Sequence, residues 1–392
     1  MNFIGNRNFT AGPQTSLEGF ICPQNSDKQQ KIKVFGRSGG AKSRKSNIEL
    51  YRIIVMLLIV AHHYVVNSGL LDVMAQNSLS SHSIYLYLFG MWGKTGINCF
   101  VLITGYFMCK SRITCRKYLK LLLEVLFYNI ICWSMFTFTG YEHFSIKSLV
   151  MAMMPIVGIS DGFTSCFLIF YLFIPFLNIL LGQLDRKKHT SLLALCLIAY
   201  TFLGSIPKFH VTFNYVTWFC ILYIIASYIR LYDLFPRIKA SQWGLITFAM
   251  MLLSVGSVIF MLYIHVKYGV KLLPYFFVQD SNKIFAVLVS ISSFMYFKNL
   301  HIKQSKLINT ISASTFGVLC IHANSDTMRQ WLWKDMLDNV GNYASINLIL
   351  ISCTSVLFVF FVCIILDYIR IHTLERCIFA FIDTQLLKYH LV

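Results

Sequence analysis

Long apolar stretches recur along almost the whole chain from about residue 50 onward, and short polar segments separate them. A stretch of 18 or more apolar residues is long enough to cross a bilayer as an α-helix. Membrane β-strands would instead alternate apolar and polar residues over segments of about ten, a pattern that this sequence does not show. The pattern therefore predicts an all-α polytopic membrane protein, a bundle of about ten transmembrane helices near residues 51–71, 84–109, 118–139, 163–182, 190–206, 214–231, 243–265, 284–299, 310–332 and 346–369.

Composition supports the same class. The chain has 392 residues, of which 57% are hydrophobic and only 13% are charged. A soluble globular domain carries about 25% charged residues, so this chain has about half of the usual share. Length therefore says nothing here about the number of soluble domains.

Three segments differ in character. Residues 1–47 are polar and contain no apolar core of a signal peptide, so we expect a disordered cytoplasmic tail. Residues 48–372 form the predicted transmembrane domain, and 373–392 a cytoplasmic C-terminal tail. The connection 140–162 is moderately apolar, and the sequence leaves open whether it is interfacial or re-entrant.

Lysine and arginine predict the orientation. With the N-terminus inside, the predicted inner loops and C-terminal tail hold 16 of these residues, and the outer loops hold 6. This asymmetry favours ten spans with both termini in the cytoplasm. The formal net charge of +18 therefore reflects membrane topology, and because it is dispersed over separate loops it does not indicate nucleic-acid binding.

The twelve cysteines are scattered and none forms a C-x-x-C motif. They predict neither a disulfide framework nor a zinc site. His62 and His63 could join His322 at a metal, but no acidic or thiolate cluster accompanies them, so no metal site is expected.

The first apolar stretch contains two ionisable residues in one helical register. Arg52 and His63 are eleven residues apart, and three helical turns take about 10.8 residues, so both side chains share a face about 16 Å apart. With Arg52 at the cytoplasmic edge, His63 is expected near the bilayer midplane. Ionisable residues at that depth are functional candidates by default, whereas the alternative is a histidine that only hydrogen-bonds a neighbouring helix. His62 is expected to point about 100° away.

A basic cluster follows the second apolar stretch, at a predicted cytoplasmic edge. Arg112, Arg116, Lys117 and Lys120 fall within nine residues. The positive-inside rule accounts for any one of them, and together they would also suit a phosphorylated cytoplasmic ligand. Glu124 is expected to pair with Lys120, four residues earlier.

The late apolar stretch carries a second polar group. His322, Asp326 and Arg329 recur at helical spacing and Asn324 lies between them. One interpretation is a buried polar network that braces two helices, which is common in membranes. The other is a binding site for a polar substrate near the outer end, for which Lys94 and Asn98 are weaker candidates. Trp218, Trp243, Trp331 and Trp333 are interpreted mostly as interfacial belts.

Four stretches in order carry a resemblance to a known family. They are NIELYRIIVMLLIVAHHY with Arg52 and His63, GKTGINCFVLITGYF with Gly96, Phe100, Thr104, Gly105 and Tyr106, SCFLIFYLFIPFLNILL from Ser165 to Leu181, and ISASTFGVLCIHANSDTMRQWLW with Gly317, His322, Asn324 and Arg329. Over about residues 47–370 the chain resembles the acyltransferase 3 family, integral membrane O-acyltransferases of bacterial cell-surface polysaccharides. A Trp-Phe pair common before the fourth helix is replaced by GFTSCF, and an Arg-x-x-Arg pattern is most nearly Lys117-x-x-Lys120, which loses the bidentate fork.

The resemblance implies a membrane-bound enzyme of the bacterial cytoplasmic membrane. It would move an acyl group, in the first place acetyl, from cytoplasmic acyl-CoA to a hydroxyl of a lipid-linked or cell-surface glycan, with no permanently bound cofactor. His63 would serve as general base or as a transient acyl carrier, two mechanisms that the sequence does not separate. Arg52 would orient the donor, the basic cluster would hold CoA, and His322, Asn324, Asp326 and Arg329 would bind the acceptor.

The main alternative is a glycan or lipid transporter or flippase without acyl transfer. It would share a basic cytoplasmic edge and buried polar residues. Transport predicts paired broken helices near the midplane, and Gly105 and Pro175 do not form an obvious symmetric pair. A non-catalytic scaffold would leave the register of Arg52 and His63 unexplained.

Overall fold

Apolar side chains with few charges between them favour helices, because in lipid a helix satisfies its own backbone hydrogen bonds. The computed structural model describes residues 44–111, 113–157, 162–209, 211–270 and 273–388, and the regular secondary structure of these residues is helical. The α-helices are α1 (Ser46–Val66), α2 (Leu70–Gln76), α3 (Ser81–Gly90), α4 (Gly93–Met108), α5 (Cys115–Phe138), α6 (Ile146–Met153), α7 (Phe163–Gly182), α8 (Arg186–Cys196), α9 (Tyr215–Tyr232), α10 (Ala240–Tyr268), α11 (Ile284–Asn299), α12 (Lys306–Ala313), α13 (Thr315–His322), α14 (Asp326–Arg329), α15 (Leu348–Arg370) and α16 (Arg376–Lys388).

Within the described residues, seven helical segments are long and apolar enough to cross a membrane: Ser46–Val66, Ser81–Met108, Cys115–Phe138, Phe163–Gly182, Tyr215–Tyr232, Ala240–Tyr268 and Leu348–Ile382. The helix Ile284–Asn299 is apolar but shorter. The all-helical membrane class is therefore confirmed, whereas the expected number of about ten spans is not. Two of the remaining predicted spans are irregular: 190–206 falls on α8 and a π-helical turn, and 310–332 is divided among several short helices.

In the described part of the connection 140–162 there is one short helix, α6. Eight residues rise about 12 Å, which is far less than a bilayer core. None of the α6 residues is buried, and Ile146 is 73% exposed. α6 therefore does not cross the membrane, and its exposed apolar side chains favour the interfacial interpretation.

The two predicted tails have different outcomes. The N-terminal tail was predicted over residues 1–47. Residues 1–43 lie outside the described part of the chain, and α1 already begins at Ser46. At the other end α15 continues through a π-helical turn, Ile371–Glu375, into α16. The segment predicted as a C-terminal tail is therefore helical as far as Lys388.

α1 lies at the centre of the bundle. It packs against α3, α4, α11, α12, α13 and α15. Its core side chains, including Met56, Val60 and Tyr64, are completely buried. Gly96 of α4 allows the close approach, since a Cβ there would lie 2.7 Å from Ile59 Cγ1. This packing fixes the backbone that carries both residues predicted from the first apolar stretch.

The interpretation of the tryptophans as interfacial belts is wrong for three of the four. Trp218 and Trp333 have no exposed surface, and Trp243 is 6% exposed. Trp218 donates a hydrogen bond from Nε1 to Asn98 Oδ1 over 2.9 Å, and Asn98 Nδ2 donates to the Ser281 carbonyl over 2.7 Å. Asn98 thus joins α4 and α9 as a brace and does not line the cavity for which it was a weak candidate.

Candidate functional site

A polar cavity of about 410 Å³ opens between α1, α4, α5, α7, α9 and the α13–α14 segment. We call it the central chamber. It lies at the C-terminal end of α1 and at the N-terminal ends of α7 and α9. Its polar lining residues are His62, His63, Asn67, Lys94, Asn129, Thr164, Ser165, Tyr215, Asn324 and Arg329. Such a set of amide, hydroxyl and imidazole groups suits a polar ligand such as a sugar.

His63 lies in the last turn of α1 rather than halfway along the helix, where a midplane position would place it. It is half-buried, and the side chains of Tyr64 and Val65 that follow it are fully buried. The backbone at His63 is therefore held by packing while its imidazole faces the chamber. This is the geometry expected of a reacting group on a rigid element.

His63 forms a hydrogen bond with His322 across the bundle, over 2.9 Å between His63 Nδ1 and His322 Nε2. His322 Nδ1 lies 2.6 Å from the carbonyl oxygen of Val318. A carbonyl oxygen only accepts, so His322 Nδ1 carries the proton, and in the neutral ring Nε2 is then an acceptor. His63 must consequently donate from Nδ1, which leaves the lone pair of its Nε2 available as a base.

The position of His322 is fixed more strongly than that of His63. Its side chain has no exposed surface, and its ring packs nearly perpendicular to that of Trp333 with ring centroids 6.2 Å apart. One helical turn and a half earlier, Gly317 lets α13 approach α15, because any side chain there would overlap the Asp367 carboxylate. These contacts hold the acceptor nitrogen of His322 against His63.

His62, which the helical register sets about 100° from His63, is also brought to the site. His62 also lines the central chamber, and its ring centroid lies 5.7 Å from that of His63. His62 Nδ1 is 2.6 Å from the Gly90 carbonyl, at the break between α3 and α4. Gly93, on the far side of the break, leaves room for the ring, since a Cβ there would overlap it. The break between α3 and α4 thus makes room for a second histidine of α1 at the chamber wall.

Arg52 lies outside the lining of the central chamber. Its Nη1 is 4.0 Å from Glu49 Oε2, and Glu49 also accepts a hydrogen bond from the Ser312 hydroxyl. Arg52 Nε is buried without a partner. The predicted register of Arg52 and His63 on one helix is present, but the two side chains belong to different polar groups about three turns apart.

The residues predicted to bind the acceptor divide into two sets. Asn324 and Arg329 line the chamber, whereas Asp326 does not and its side chain is 96% exposed. The reason is a break in the helix: α13 ends at His322, and Ser325 starts α14 by accepting a hydrogen bond from Met328 N. The single polar face expected from the spacing of His322, Asp326 and Arg329 is therefore not formed.

The basic cluster lines a second cavity of about 550 Å³ between the start of α5 and α16. Arg116, Lys117 and Lys120 face it, and Arg112 lies outside the described residues. The Arg116 guanidinium lies 5.3 Å from the ring centroid of Phe379, and Lys120 forms an ion pair with Glu375. We call this the rim cavity, and α16 is a part of it that the sequence did not suggest.

One buried group of charges was missed altogether. Arg370 lies 3.0 Å from Glu124, 2.8 Å from Asp367 and 3.0 Å from Glu375, each measured between a guanidinium nitrogen and a carboxylate oxygen. We call these four residues the Arg370 cluster. Glu124 therefore pairs with Arg370, and the expected pair with Lys120 is not formed because Lys120 pairs with Glu375 instead. The signal in the sequence was Asp367 and Arg370 at helical spacing within an apolar stretch.

No group of three or more metal-ligating side chains in metal-binding geometry occurs among the described residues. The chemistry that the chamber can perform is proton transfer at a polar ligand.

Comparison with known proteins is consistent with this geometry: a family model described as an acyltransferase domain matches residues 45–368. No curated protein and no solved structure matches the chain.

Proposed function

We propose that this chain, which belongs to the acyltransferase 3 family, moves an acyl group from cytoplasmic acyl-CoA to a glycan hydroxyl in the central chamber. The family membership makes it a membrane acyltransferase. The finer assignment is ours: the acyl group is acetyl, and the acceptor is a lipid-linked or cell-surface saccharide at the outer face of the bacterial cytoplasmic membrane. Both termini lie in the cytoplasm, as the distribution of lysine and arginine predicts.

The observation that carries this proposal is the hydrogen bond between His63 and His322. A sugar hydroxyl has a pKa far above neutrality and needs a base when it attacks a carbonyl carbon. The bond from His322 Nδ1 to the Val318 carbonyl and the bond between the two rings together leave His63 Nε2 without a proton. His63 therefore presents a neutral imidazole in the protonation state that a base requires.

The reaction then proceeds by direct transfer. His63 Nε2 takes the proton of the acceptor hydroxyl while the hydroxyl oxygen attacks the thioester carbonyl carbon. The carbon–sulfur bond breaks, and CoA leaves as a thiolate that takes up the proton from His63. The ring returns to its starting state, held throughout by His322, and the thioester supplies a leaving group without any metal ion.

The donor reaches this base along α5. Its phosphates bind in the rim cavity through Arg116, Lys117 and Lys120, which α5 presents from its first turns, and Arg112 belongs to the same basic segment. Val125 and Asn129 of the same helix line the central chamber. Nine residues separate Lys120 from Asn129, or about 13 Å along the helix, a length that the pantetheine arm of CoA spans. Arg52, which lines neither cavity and has an unpartnered Nε, orients the donor.

The test uses membranes that contain the full-length protein and labelled acetyl-CoA. We expect His63→Ala to lower the release of free CoA and the acetylation of glycan by at least about 100-fold, since a positioned base contributes 10²–10⁴-fold. The matched control is His301→Ala, which removes an exposed histidine that does not line the chamber. Equal activity of His63→Ala and the parent, at equal amounts in the membrane, would refute the mechanism.

A further inference from the structure

Two cationic side chains, Lys94 and Arg329, line the central chamber. The described lining contains no aspartate or glutamate, and Asp161, which precedes Gly162 in the sequence, falls outside the described residues. Inside a membrane protein a positive charge is normally matched by a carboxylate, because an unmatched one is costly. Two cations around one cavity whose described lining contains no carboxylate therefore need an explanation.

Lys94 is half-buried in the first turn of α4. Its Nζ donates to the Tyr215 hydroxyl over 2.7 Å and lies 5.4 Å from the centroid of the same ring. Both contacts orient the ammonium group, and neither neutralises it. A lysine held by a phenol at the wall of a polar cavity has no counter-charge in that partner and keeps two further donors for a ligand.

Arg329 is only weakly compensated. Its Nη1 lies 2.7 Å from Asp326 Oδ1, but that carboxylate side chain is 96% exposed, and such surface pairs contribute little. Arg329 Nε is buried and has no hydrogen-bond partner. A guanidinium donor in this position is satisfied when a ligand oxygen completes the fork, which matches the planar geometry of a carboxylate or a phosphate.

We propose that Lys94 and Arg329 form an oxyanion site, so that the acceptor of this acyltransferase is an acidic saccharide carrying a carboxylate or a phosphate beside the acylated hydroxyl. This inference rests on the function proposed above and specifies its substrate class. The neutral lining groups, among them Asn129 and Asn324, suit the remaining hydroxyls of the sugar. Holding the charged group fixes the ring so that one hydroxyl faces His63.

The acceptor, rather than the donor, is the natural source of this oxyanion. Acyl-CoA already has a basic site in the rim cavity, which α5 presents at its first turns. Lys94 and Arg329 belong to the other end of the bundle, where α1 ends and where α7 and α9 begin. The two basic sites thus divide the anionic groups of the two substrates between the start of α5 and the chamber that the middle of α5 lines.

The first experiment measures binding without turnover. The full-length protein in nanodiscs of zwitterionic lipid is unfolded thermally with sodium glucuronate or inorganic phosphate, at constant ionic strength set by sodium chloride, and with glucose as the neutral probe. A ligand that binds only the folded state raises Tm by mass action. We expect glucuronate and phosphate, but not glucose, to raise Tm. We expect Lys94→Gln or Arg329→Gln to raise the dissociation constant of each anion about tenfold.

The control variant is Lys334→Gln, which removes an exposed positive charge from the segment that follows Arg329. It should bind glucuronate and phosphate as the parent does. Coenzyme A is measured in parallel, and its stabilising effect should survive in Lys94→Gln and Arg329→Gln. If coenzyme A no longer raises the Tm of these variants, the chamber cations bind the donor and the assignment to the acceptor is wrong. The absence of any effect of both anions on the parent would refute the site itself.

The second experiment separates this inference from the function on which it rests. Mass analysis of the acylated glycan should show an uronate or phosphate group in the acylated sugar or directly attached to it. Acylation of a saccharide that contains neither group would refute the acidic acceptor and leave the acyl-transfer function standing. Binding of glucuronate by a chain that transfers no acyl group would support the oxyanion site and refute the acyl-transfer function.

Discussion

The central chamber and the Arg370 cluster both place polar side chains inside a bundle of apolar helices, but they satisfy them in opposite ways. In the Arg370 cluster each arm of one guanidinium meets a carboxylate, from Asp367, Glu124 and Glu375, within 3.0 Å. Tyr128 adds a hydrogen bond to Asp367 Oδ1 over 2.7 Å. In the chamber His63 hydrogen-bonds the His322 ring and Lys94 the Tyr215 hydroxyl, and the other ring nitrogen of His63 and two donors of Lys94 remain for a ligand.

This difference in how the polar groups are satisfied distinguishes a structural cluster from a functional site. Charges that neutralise one another inside the protein have no capacity left for a ligand, and removing one partner leaves the others buried and unpaired. Groups that keep an unused lone pair or donor at a cavity wall are available for chemistry. We therefore assign the Arg370 cluster to the joining of α5 and α15, and the chamber to function.

The largest effect that this comparison predicts is on stability. Arg370→Gln leaves Glu124, Asp367 and Glu375 without their shared cation, and breaking a buried ion pair from one side costs about 3–5 kcal/mol. We expect a strongly lowered unfolding temperature in detergent, measured by intrinsic fluorescence, together with near-parental kcat for the molecules that remain folded.

A double variant serves as the control. Glu124→Gln added to Arg370→Gln removes one of the stranded carboxylates and should recover part of the lost stability, as coupled sites do. A variant Arg370→Gln with parental stability but no acyl transfer would break the comparison, because the cluster would then belong to the catalytic machinery.

The next effect concerns His322 as a positioning residue. His322→Leu removes the acceptor that fixes His63 Nδ1 as the donor, so His63 is free to take the wrong tautomer. Loss of such an orienting partner costs about 10–100-fold in activity, and we expect it in kcat rather than in KM for either substrate. His322→Gln retains an acceptor oxygen and should restore part of kcat, which a purely structural role would not require.

The same contrast shows what sequence could and could not supply. The run of apolar segments was sufficient for the helical membrane class, and the motif around His63 made that histidine a candidate. The partner of His63 lies 259 residues away, and local periodicity contains no information about which distant helix will pack there. His322 was therefore predicted as a candidate, but its contact with His63 was not.

Local rules failed where a helix breaks or where a distant partner competes. Helical spacing placed Asp326 beside His322, but the chain leaves the helix after His322 and turns Asp326 into solvent. The four-residue rule paired Glu124 with Lys120, whereas Arg370 from α15 offers Glu124 a buried partner. A pair on one helix contributes only about 0.2–0.5 kcal/mol, so a tertiary contact overrides it.

The smallest predicted effect lies in the rim cavity, which shares Glu375 with the Arg370 cluster. If the rim holds CoA phosphates, Lys117→Gln combined with Lys120→Gln should raise the KM for acetyl-CoA by about threefold to tenfold and leave kcat nearly unchanged, since exposed charges bind the donor equally in the ground and transition states. Added salt should produce part of the same rise by screening.

The matched control is Lys187→Gln with Lys188→Gln, which removes two charges from another predicted cytoplasmic loop, at the exposed start of α8. A similar KM for acetyl-CoA in both double variants, with poor membrane insertion of the rim variant, would show that the rim lysines determine topology and do not bind the donor. Of the chamber, the Arg370 cluster and the rim cavity, the chamber alone would then keep a role in acyl transfer.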